Sequence, residues 1–234
     1  MRAQWRSTTR IAIVSDVHGN LAALEAVLAD LAEVRPDVVA HGGDLALGGP
    51  HPAEVVDRVR ELGWPGVLGN TDIALDDDRI PELGRGFIGP PAARTRELLG
   101  PERVAWLTSW PLEWRGDGVA LVHAVPGDCW PVVAHDAPDD RLREVFGPLG
   151  AAVAVYCHIH HAYVRRLDGL TVVNSGSVSL SLDGDARATY AVIEDGRVEH
   201  RRVTYDLEPV VADLLAIDYP NAAIYVDWLR TGRR

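Results

Sequence analysis

Five short apolar runs, each followed within four residues by aspartate, asparagine or histidine, constrain the fold of this chain more than any other feature. Short runs rich in valine, isoleucine and alanine predict strands that are buried on both faces. The runs are Ile11–Ser15, Val38–Ala40, Gly66–Leu68, Val119–Val122 and Val153–Tyr156. The polar residues that follow them are Asp16, His18, Asp44, Asn70, His123, His158 and His160. Because open α/β sheets bind ligands beyond the carboxyl ends of their strands, we expect these seven side chains to form one site.

The seven residues offer the atoms that a pair of divalent metal ions requires. Carboxylate and amide oxygens come from Asp16, Asp44 and Asn70, and the four histidines add imidazoles, which favour transition metals over magnesium or calcium. Asp44 follows two glycines, so its carboxylate can be shared by two ions roughly 3.5–4 Å apart. Each residue alone is a common turn or surface residue. The complete set in this order indicates a two-metal site, and such sites favour phosphoryl chemistry.

The first third of the chain alternates strands with helices. The first helix is expected from Asn20, a favourable N-cap residue, and the second from His51-Pro52 to Gly63. Connections this short between strands predict right-handed βαβ units and a parallel sheet.

The middle of the chain, residues 76–118, has a different character. It opens on Asp76-Asp77-Asp78, and helices are predicted at about 90–99 and 101–108. Two interpretations stay open for this stretch: an insertion that shapes the site, or peripheral packing, which is the favoured one.

The last third is rich in strands. Asp168-Gly169 and Asp195-Gly196 each separate two strand-like runs, which predicts two β-hairpins. A final helix is expected at about 207–216, whereas residues 219–234 receive no assignment. We predict one domain over residues 1–234, with two stacked sheets, helices outside and a flexible tail at residues 1–9.

Composition excludes several classes of protein. The formal charge of −11 and the pI of about 5.2 disfavour a protein that binds long nucleic acids. The sequence has no apolar run of eighteen residues, so no membrane span is expected, and the basic start lacks the apolar segment of a secretory signal. Only two cysteines are present, Cys129 and Cys157, which favours the cytoplasm. The absence of lysine excludes a lysine nucleophile, and the oligomeric state stays open.

A family resemblance rests on the motifs around these residues. They are Asp16-Val17-His18-Gly19-Asn20, Gly43-Asp44-Leu45, Gly69-Asn70-Thr71-Asp72, Val122-His123 and His158-Ile159-His160. Over about residues 10–205 the chain resembles the calcineurin-like metallophosphoesterases, in particular the small bacterial phosphodiesterase-like members. The resemblance implies an α/β fold: a four-layer α/β/β/α sandwich of two mixed β-sheets flanked by helices.

The resemblance also implies how the metals are held. One ion would use Asp16, His18, Asp44 and His160, and the other would use Asp44, Asn70, His123 and His158. Manganese, iron, zinc, nickel or cobalt occur in such sites. A hydroxide that bridges the ions would attack a small phosphorylated substrate, so Asp16, Asp44, Asn70 and His123 are also expected to be catalytic.

The main departure from the family pattern is Thr71. Many members have a histidine there, which is thought to protonate the leaving group. A threonine hydroxyl is not a general acid near neutral pH, and losing a general acid costs about 10²–10⁴ in rate. We therefore expect a slight preference for phosphodiesters over phosphomonoesters. Asp72 either orients a metal ligand or caps a turn. Cys157 replaces a glycine, and we expect a buried apolar residue there in preference to an extra ligand.

The candidates for substrate contacts are weaker. His161 could donate to a phosphate oxygen, although strand alternation would point it away from His160. Arg165 and Arg166 could pair with a phosphate, although strand arginines are usually solvated.

The alternative function is a protein-interaction scaffold with this fold that has lost catalysis.

Overall fold

Four of the five apolar runs form strands of two β-sheets that pack face to face. The computed structural model describes residues 9–76 and 79–234. The strands are β1 (Ile11–Val14), β2 (Val38–His41), β3 (Glu113–Gly116), β4 (Val119–Val122), β5 (Val153–Tyr156), β6 (Tyr163–Leu167), β7 (Leu170–Asn174), β8 (Ala188–Glu194) and β9 (Arg197–Val203). The helices are α1 (Leu21–Val34), α2 (Pro52–Leu62), α3 (Asn70–Ile73), α4 (Glu82–Leu107), α5 (Asp139–Phe146), α6 (Glu208–Ala216) and α7 (Ala222–Thr231).

Both sheets are mixed. The strand orders are β2-β1-β8-β9 in the first and β3-β4-β5-β7-β6 in the second. The pairs β1–β2, β4–β5 and β5–β7 are parallel, and the other neighbours are antiparallel. Parallel neighbours bring the carboxyl ends of β1 and β2, and of β4 and β5, to the same edge. The ligands predicted from the sequence follow these strands.

Burial on both faces explains why the strands read as continuous apolar runs. In β1, Ile11 and Ile13 face the core between the two sheets, whereas Ala12 and Val14 pack under α1 and α2. Strands β4 and β5 alternate in the same way between the inner core and a third cluster under α5. The result is the four-layer α/β/β/α sandwich expected from the family resemblance.

Several local expectations are confirmed. The Asn20 side chain accepts a hydrogen bond from the Ala23 N–H at 3.0 Å and so caps α1. Helix α2 begins at Pro52 and ends before Gly63, whose φ of 64° is left-handed. Asp168-Gly169 joins β6 to β7, and Asp195-Gly196 joins β8 to β9.

The predicted strand at Gly66–Leu68 is wrong. Gly66 forms a single parallel bridge to His41, and the Leu68 N–H then donates to the Pro111 carbonyl. The segment leaves the edge of the sheet at once because it must turn into α3, which begins at Asn70. The expected parallel sheet of the first third is therefore limited to β1 and β2, and the other neighbour of β1 is the antiparallel strand β8.

The two helices predicted in the middle are present, separated by Gly100 with φ 72° and ψ 164°. The first of them starts earlier than expected, at Glu82, and runs through Pro90 and Pro91. Of the predicted tail, residues 1–8 lie outside the described residues, as do Asp77 and Asp78 of the acidic run.

Residues 219–234 contain α7, which packs with α6 around a small apolar core that includes Val210, Leu214 and Leu229. Tyr219 ties this unit to the rest of the fold, because its hydroxyl accepts from the Gly48 N–H at 2.9 Å. Across residues 9–76 and 79–234, no helix is both long and apolar enough to cross a membrane.

Candidate metal centre

The seven predicted residues lie together at the edge where β1, β2, β4 and β5 end. Asp16 follows β1, Asp44 follows β2 and His123 follows β4 directly. His158 and His160 follow β5, and Asn70 is the first residue of α3. Six of the seven are buried, and His158 is half-buried. A buried cluster so rich in ionisable groups requires charge compensation from within the site.

Backbone strain is concentrated in these residues. Five of the seven have left-handed φ angles between 49° and 62°. They are Asp16, His18, Asp44, His158 and His160. Non-glycine residues seldom adopt this conformation, and when they do the strain tends to occur at functional sites. Here the left-handed turns direct side chains from successive loops toward a common centre.

The first group of candidate ligands contains Asp16, His18, Asp44 and His160, whose candidate ligand atoms all lie within 4.8 Å of one another. Both carboxylate oxygens of Asp16 are buried and receive no hydrogen bond within the described part of the chain. Oδ1 of Asp16 lies 3.1 Å from His160 Nε2, an ion-pair distance without hydrogen-bond alignment. A buried carboxylate with no donor fits a cation as its missing partner.

Hydrogen bonds to backbone carbonyls fix the tautomers of three histidines. His18 Nδ1 faces the Leu47 carbonyl, His160 Nδ1 lies 2.7 Å from the Leu180 carbonyl, and His123 Nδ1 lies 2.7 Å from the Gly42 carbonyl. A carbonyl only accepts, so each Nδ1 must donate. In the neutral rings Nε2 is then a lone pair directed into the site, which is the arrangement of metal-ligating histidines.

In the first group, the inward-facing nitrogens of two histidines lie close together. His18 Nε2 and His160 Nε2 are 3.2 Å apart. A proton or a cation between them would relieve the repulsion of the two lone pairs. Burial and the neighbouring His160 lower the pKa of His18. Burial also acts to lower the pKa of His160, but the charges of Asp16 and Asp44 and the close contacts with Asp16 and the Leu180 carbonyl together outweigh it, and the pKa is raised.

The same pair explains the acidity of Asp16. Burial acts to raise its pKa, yet the close contact with His160 and the charges of His160, His123 and His18 together prevail and lower the pKa to about 2. Asp16 is therefore an anion at neutral pH, as a metal ligand must be.

The second group of ligands repeats the pattern around Asn70. As placed, Asn70 Oδ1 is 2.8 Å from His123 Nε2 and 2.8 Å from His158 Nδ1. Because His123 donates through Nδ1 to the Gly42 carbonyl, Nε2 of the neutral ring is a hydrogen-bond acceptor. The Asn70 amide oxygen beside it is also an acceptor, so the two atoms cannot form a hydrogen bond with each other. Burial lowers the pKa of His158 to about 4, so this ring is neutral near pH 7. A cation coordinated by all three atoms would satisfy them.

Asp44 lies between the two groups and presents one oxygen to each. Its Oδ2 is 3.8 Å from His18 Nε2, and its Oδ1 is 3.6 Å from His123 Nε2. The Thr71 N–H also donates to Oδ1 at 2.8 Å. Space for this carboxylate depends on Gly69, since a Cβ at that position would lie 2.1 Å from Oδ1. The carboxylate is thus held in a position from which it can bridge.

Asp72 positions the Asp44 loop. Its carboxylate accepts hydrogen bonds from the N–H groups of Asp44 at 2.7 Å, Leu45 at 3.1 Å and Gly69 at 3.2 Å. Burial and the charge of Asp44 raise the pKa of Asp72 to about 7. Both roles considered from the sequence are therefore present, because Asp72 caps the turn into α3 and orients Asp44.

The remaining candidates occupy different places. His161 stacks on His135, with ring centroids 3.8 Å apart, and both line the cavity above the cluster. The expectation that His161 faces away from His160 is wrong, because His160 has a φ of 53° and lies outside a strand. Arg165 pairs with Asp139 at 2.8 Å, away from the cavity lining, and Arg166 is exposed. Cys157 is buried in the inner core between the sheets, as expected.

A cavity of about 950 Å³ opens above the cluster. His18, Asp44, Asn70, His158 and His160 lie at its base. Thr71 also lines it, and its buried hydroxyl has no hydrogen-bond partner among the described residues. The walls are mostly apolar and include Phe87, Trp130, Tyr225 and Trp228, which the sequence reasoning missed. The last two belong to the stretch that had no assignment, and an apolar helical face was the only signal there.

Comparison with known proteins places the chain in a family. The sequence model described as the calcineurin-like phosphoesterase superfamily domain matches residues 9–196. The uncharacterized protein MJ0912 of Methanocaldococcus jannaschii is 28% identical over 221 residues, which cover 85% of this chain and 88% of that protein. The crystal structure of a metallophosphoesterase from Sphaerobacter thermophilus is similar with a TM-score of 0.80 and 28% identity, covering 97% of this chain and 100% of that one. The hypothetical protein PH1004 from Pyrococcus horikoshii OT3 shares the fold with a TM-score of 0.84 and 18% identity, covering 96% of this chain and 99% of that one. This chain belongs to the calcineurin-like phosphoesterase superfamily.

Proposed function

We propose that the chain is a phosphoesterase that depends on two divalent transition-metal ions and hydrolyses a small phosphoester, with phosphodiesters slightly preferred. The observation that carries the proposal is the convergence of buried ring nitrogens and carboxylate oxygens, where neither oxygen of Asp16 has a hydrogen-bond donor among the described residues. His18 Nε2 faces His160 Nε2, and His123 Nε2 faces Asn70 Oδ1. Asp44 presents one oxygen to each of these pairs.

The residues divide naturally between two ions. Asp16, His18, Asp44 and His160 would hold one, and Asp44, Asn70, His123 and His158 would hold the other. Manganese, iron, zinc, nickel and cobalt all suit mixed nitrogen and oxygen ligands. Two such ions supply a water of lowered pKa and positive charge for the phosphoryl oxygens. The lowered pKa values of His18 and His158 keep both rings unprotonated and available at neutral pH.

The chain's own residues support the diester preference. Thr71 lines the cavity beside Asn70, where it offers a hydroxyl and no group that titrates near neutral pH. A monoester with a poor leaving group needs protonation of the departing oxygen, which this position does not supply. His161, at the cavity wall, is the candidate donor to a non-bridging phosphate oxygen. Arg165 is a weaker candidate because Asp139 already pairs with it. The two free cysteines agree with a cytoplasmic location.

The test combines metal analysis with activity. Manganese-loaded protein should contain about two ions per chain and hydrolyse bis-p-nitrophenyl phosphate. Asp44→Ala should lose both properties, because it removes the shared carboxylate. Asp136→Ala, which truncates an exposed aspartate, is the matched control and should retain both. If metal-loaded protein failed to hydrolyse diesters or monoesters between about pH 6 and 9, the enzyme proposal would be refuted. Purification with far less than two ions would favour the scaffold alternative.

A further inference from the structure

The cavity above the cluster has an aromatic wall built by two helices that are distant in sequence. Phe87 of α4 lies 6.0 Å from Trp228 and 6.3 Å from Tyr225 of α7, measured between ring centroids. Tyr225 and Trp228 are themselves 5.7 Å apart in an edge-to-face arrangement. All three line the cavity. Aromatic clusters of this kind present both ring faces and ring edges to a flat ligand.

A second segment, residues 130–135, contributes the other apolar lining. Trp130 is partly buried against Leu47 and Ala74, which anchors it, and still lines the cavity. Val132 is 72% exposed, although it too lines the cavity. Together with Trp130 it extends the apolar lining of the cavity, and predominantly apolar linings are typical of ligand-binding sites.

The position of the cavity limits what can occupy it. Its base is formed by the same residues that are proposed to hold the metals, so a substrate whose phosphate is held there extends into the cavity. A volume of about 950 Å³ far exceeds the space that a phosphate needs and is typical of sites for ligands of drug or nucleotide size. The polar groups on the walls are few: the stacked pair His135 and His161, and Arg234, whose guanidinium lies 5.0 Å from the Trp228 ring centroid.

We propose that the cavity between α4, α7 and residues 130–135 binds an aromatic heterocycle carried by one arm of the phosphodiester, so the substrate is a nucleoside phosphodiester of low molecular weight. The inference rests on the proposed function for the position of the phosphate. Stacking on aromatic side chains favours a planar ring system over an alkyl chain, and it contributes about 1–3 kcal/mol per base by alanine substitution. The acidic surface of the protein disfavours a long polyanion but not a single nucleotide.

The kinetic test varies the arm that stays on phosphorus and keeps the leaving group constant. Manganese-loaded protein is assayed with three p-nitrophenyl phosphodiesters, whose other arm is methyl, n-octyl or thymidine through its 5′ oxygen. We expect kcat/KM for the thymidine ester to exceed that for the methyl ester by about tenfold or more. Trp228→Leu should reduce this ratio toward one, because it removes an aromatic ring from the cavity wall. Ile224→Ala, which truncates an exposed apolar residue of the same helix, is the control and should change neither rate.

A binding measurement tests the cavity without turnover, and a substitution outside α7 tests its other wall. Tryptophan fluorescence titration of the metal-loaded protein should give a lower Kd for phenylphosphonate than for methylphosphonate, by about tenfold. Trp130→Ala, on the other wall, should reduce that difference. Hydrolysis of the methyl ester with no preference for thymidine would overturn the aromatic subsite and leave the phosphoesterase intact. A preference for octyl equal to that for thymidine would overturn it in favour of an alkyl substrate. If no ester is hydrolysed, the proposed function fails, and the phosphonate titration alone decides the subsite: equal Kd values refute it.

Discussion

His41 is a buried histidine without a hydrogen-bond partner, and it should make the protein sensitive to acid. The side chain at the end of β2 is fully buried, and neither ring nitrogen has a partner in the described part of the chain. Trp110 packs edge-on against the ring, with centroids 4.5 Å apart. Gly66 covers another side so closely that a Cβ there would lie 2.3 Å from three ring atoms. No anion compensates a charge in this environment, so burial lowers the pKa of His41 from 6.5 to about 3.

The sign and size of the effect follow from linkage. Between pH 6.5 and about 3, the unfolded chain binds a proton at this position and the folded protein does not. The contribution of the neutral His41 ring to the free energy of unfolding is therefore fully present above pH 6.5 and is lost as the pH falls below 6.5. With these pKa values, going from about pH 7.5 to about pH 5 should remove about 2 kcal/mol from the free energy of unfolding.

The assay compares the wild type with His41→Phe, which keeps an aromatic ring and cannot titrate. Urea unfolding is followed by tryptophan fluorescence at both pH values, with EDTA present because metal binding to histidines is itself linked to pH. Between these two pH values, the free energy of unfolding of the variant should fall by about 2 kcal/mol less than that of the wild type. Any constant cost of fitting the larger ring beside Gly66 cancels in this difference. Ile224→Ala, at an exposed position without a titrating group, is the control and should keep the pH dependence of the wild type.

Two results would refute the reasoning about His41. One is an equal loss of stability in the wild type and in His41→Phe between the two pH values. The other is an NMR titration in which the His41 ring of the folded protein protonates near its ordinary pKa.

Two further predictions concern the loops that hold the cluster. Gly69→Ala should lower the amount of bound metal measured by mass spectrometry, because its Cβ would lie 2.1 Å from Asp44 Oδ1. Gly86→Ala is the comparison: it has open space around it inside α4, so it should raise the free energy of unfolding by about 0.5–1 kcal/mol. Unchanged metal content in Gly69→Ala would contradict the steric argument. Asp72→Asn should weaken metal binding about 10–100-fold in calorimetric titration, because an amide cannot accept from all three N–H groups that the carboxylate now serves. Wild-type affinity in Asp72→Asn would show that Asp72 does not position Asp44.

Much of the fold could be predicted because its signals are local. An apolar run such as Val119–Val122 is buried on both faces, so its composition alone indicates a strand. Asn20, Gly63 and the Asp-Gly turns act on the backbone within a few residues, and the structure has them where they were expected. The failure at Gly66–Leu68 has a tertiary cause: the segment reads as a strand but follows the path that Asn70 requires.

The candidate site was predictable in membership but not in geometry. The residue types and their places after strands were enough to select the seven side chains. The sequence could not show which histidine nitrogen faces inward, because this depends on carbonyls as distant as Gly42 for His123 and Leu180 for His160. The direction of His161 was misjudged for a related reason, since the left-handed φ of His160 breaks the alternation of a strand.

By itself, the sequence determined four of the five central strand predictions, the seven candidate ligands and the absence of a histidine at position 71, since each depends on residue identity and on short-range backbone preference. Only the tertiary structure decided that Asp44 offers one oxygen to each group of ligands, and that α4 and α7 form an aromatic wall above them. Phe87 and Trp228 meet across more than a hundred residues of chain. Contacts at such separations form because folding buries apolar surface wherever it can pack, and they leave no periodic or local pattern in the sequence.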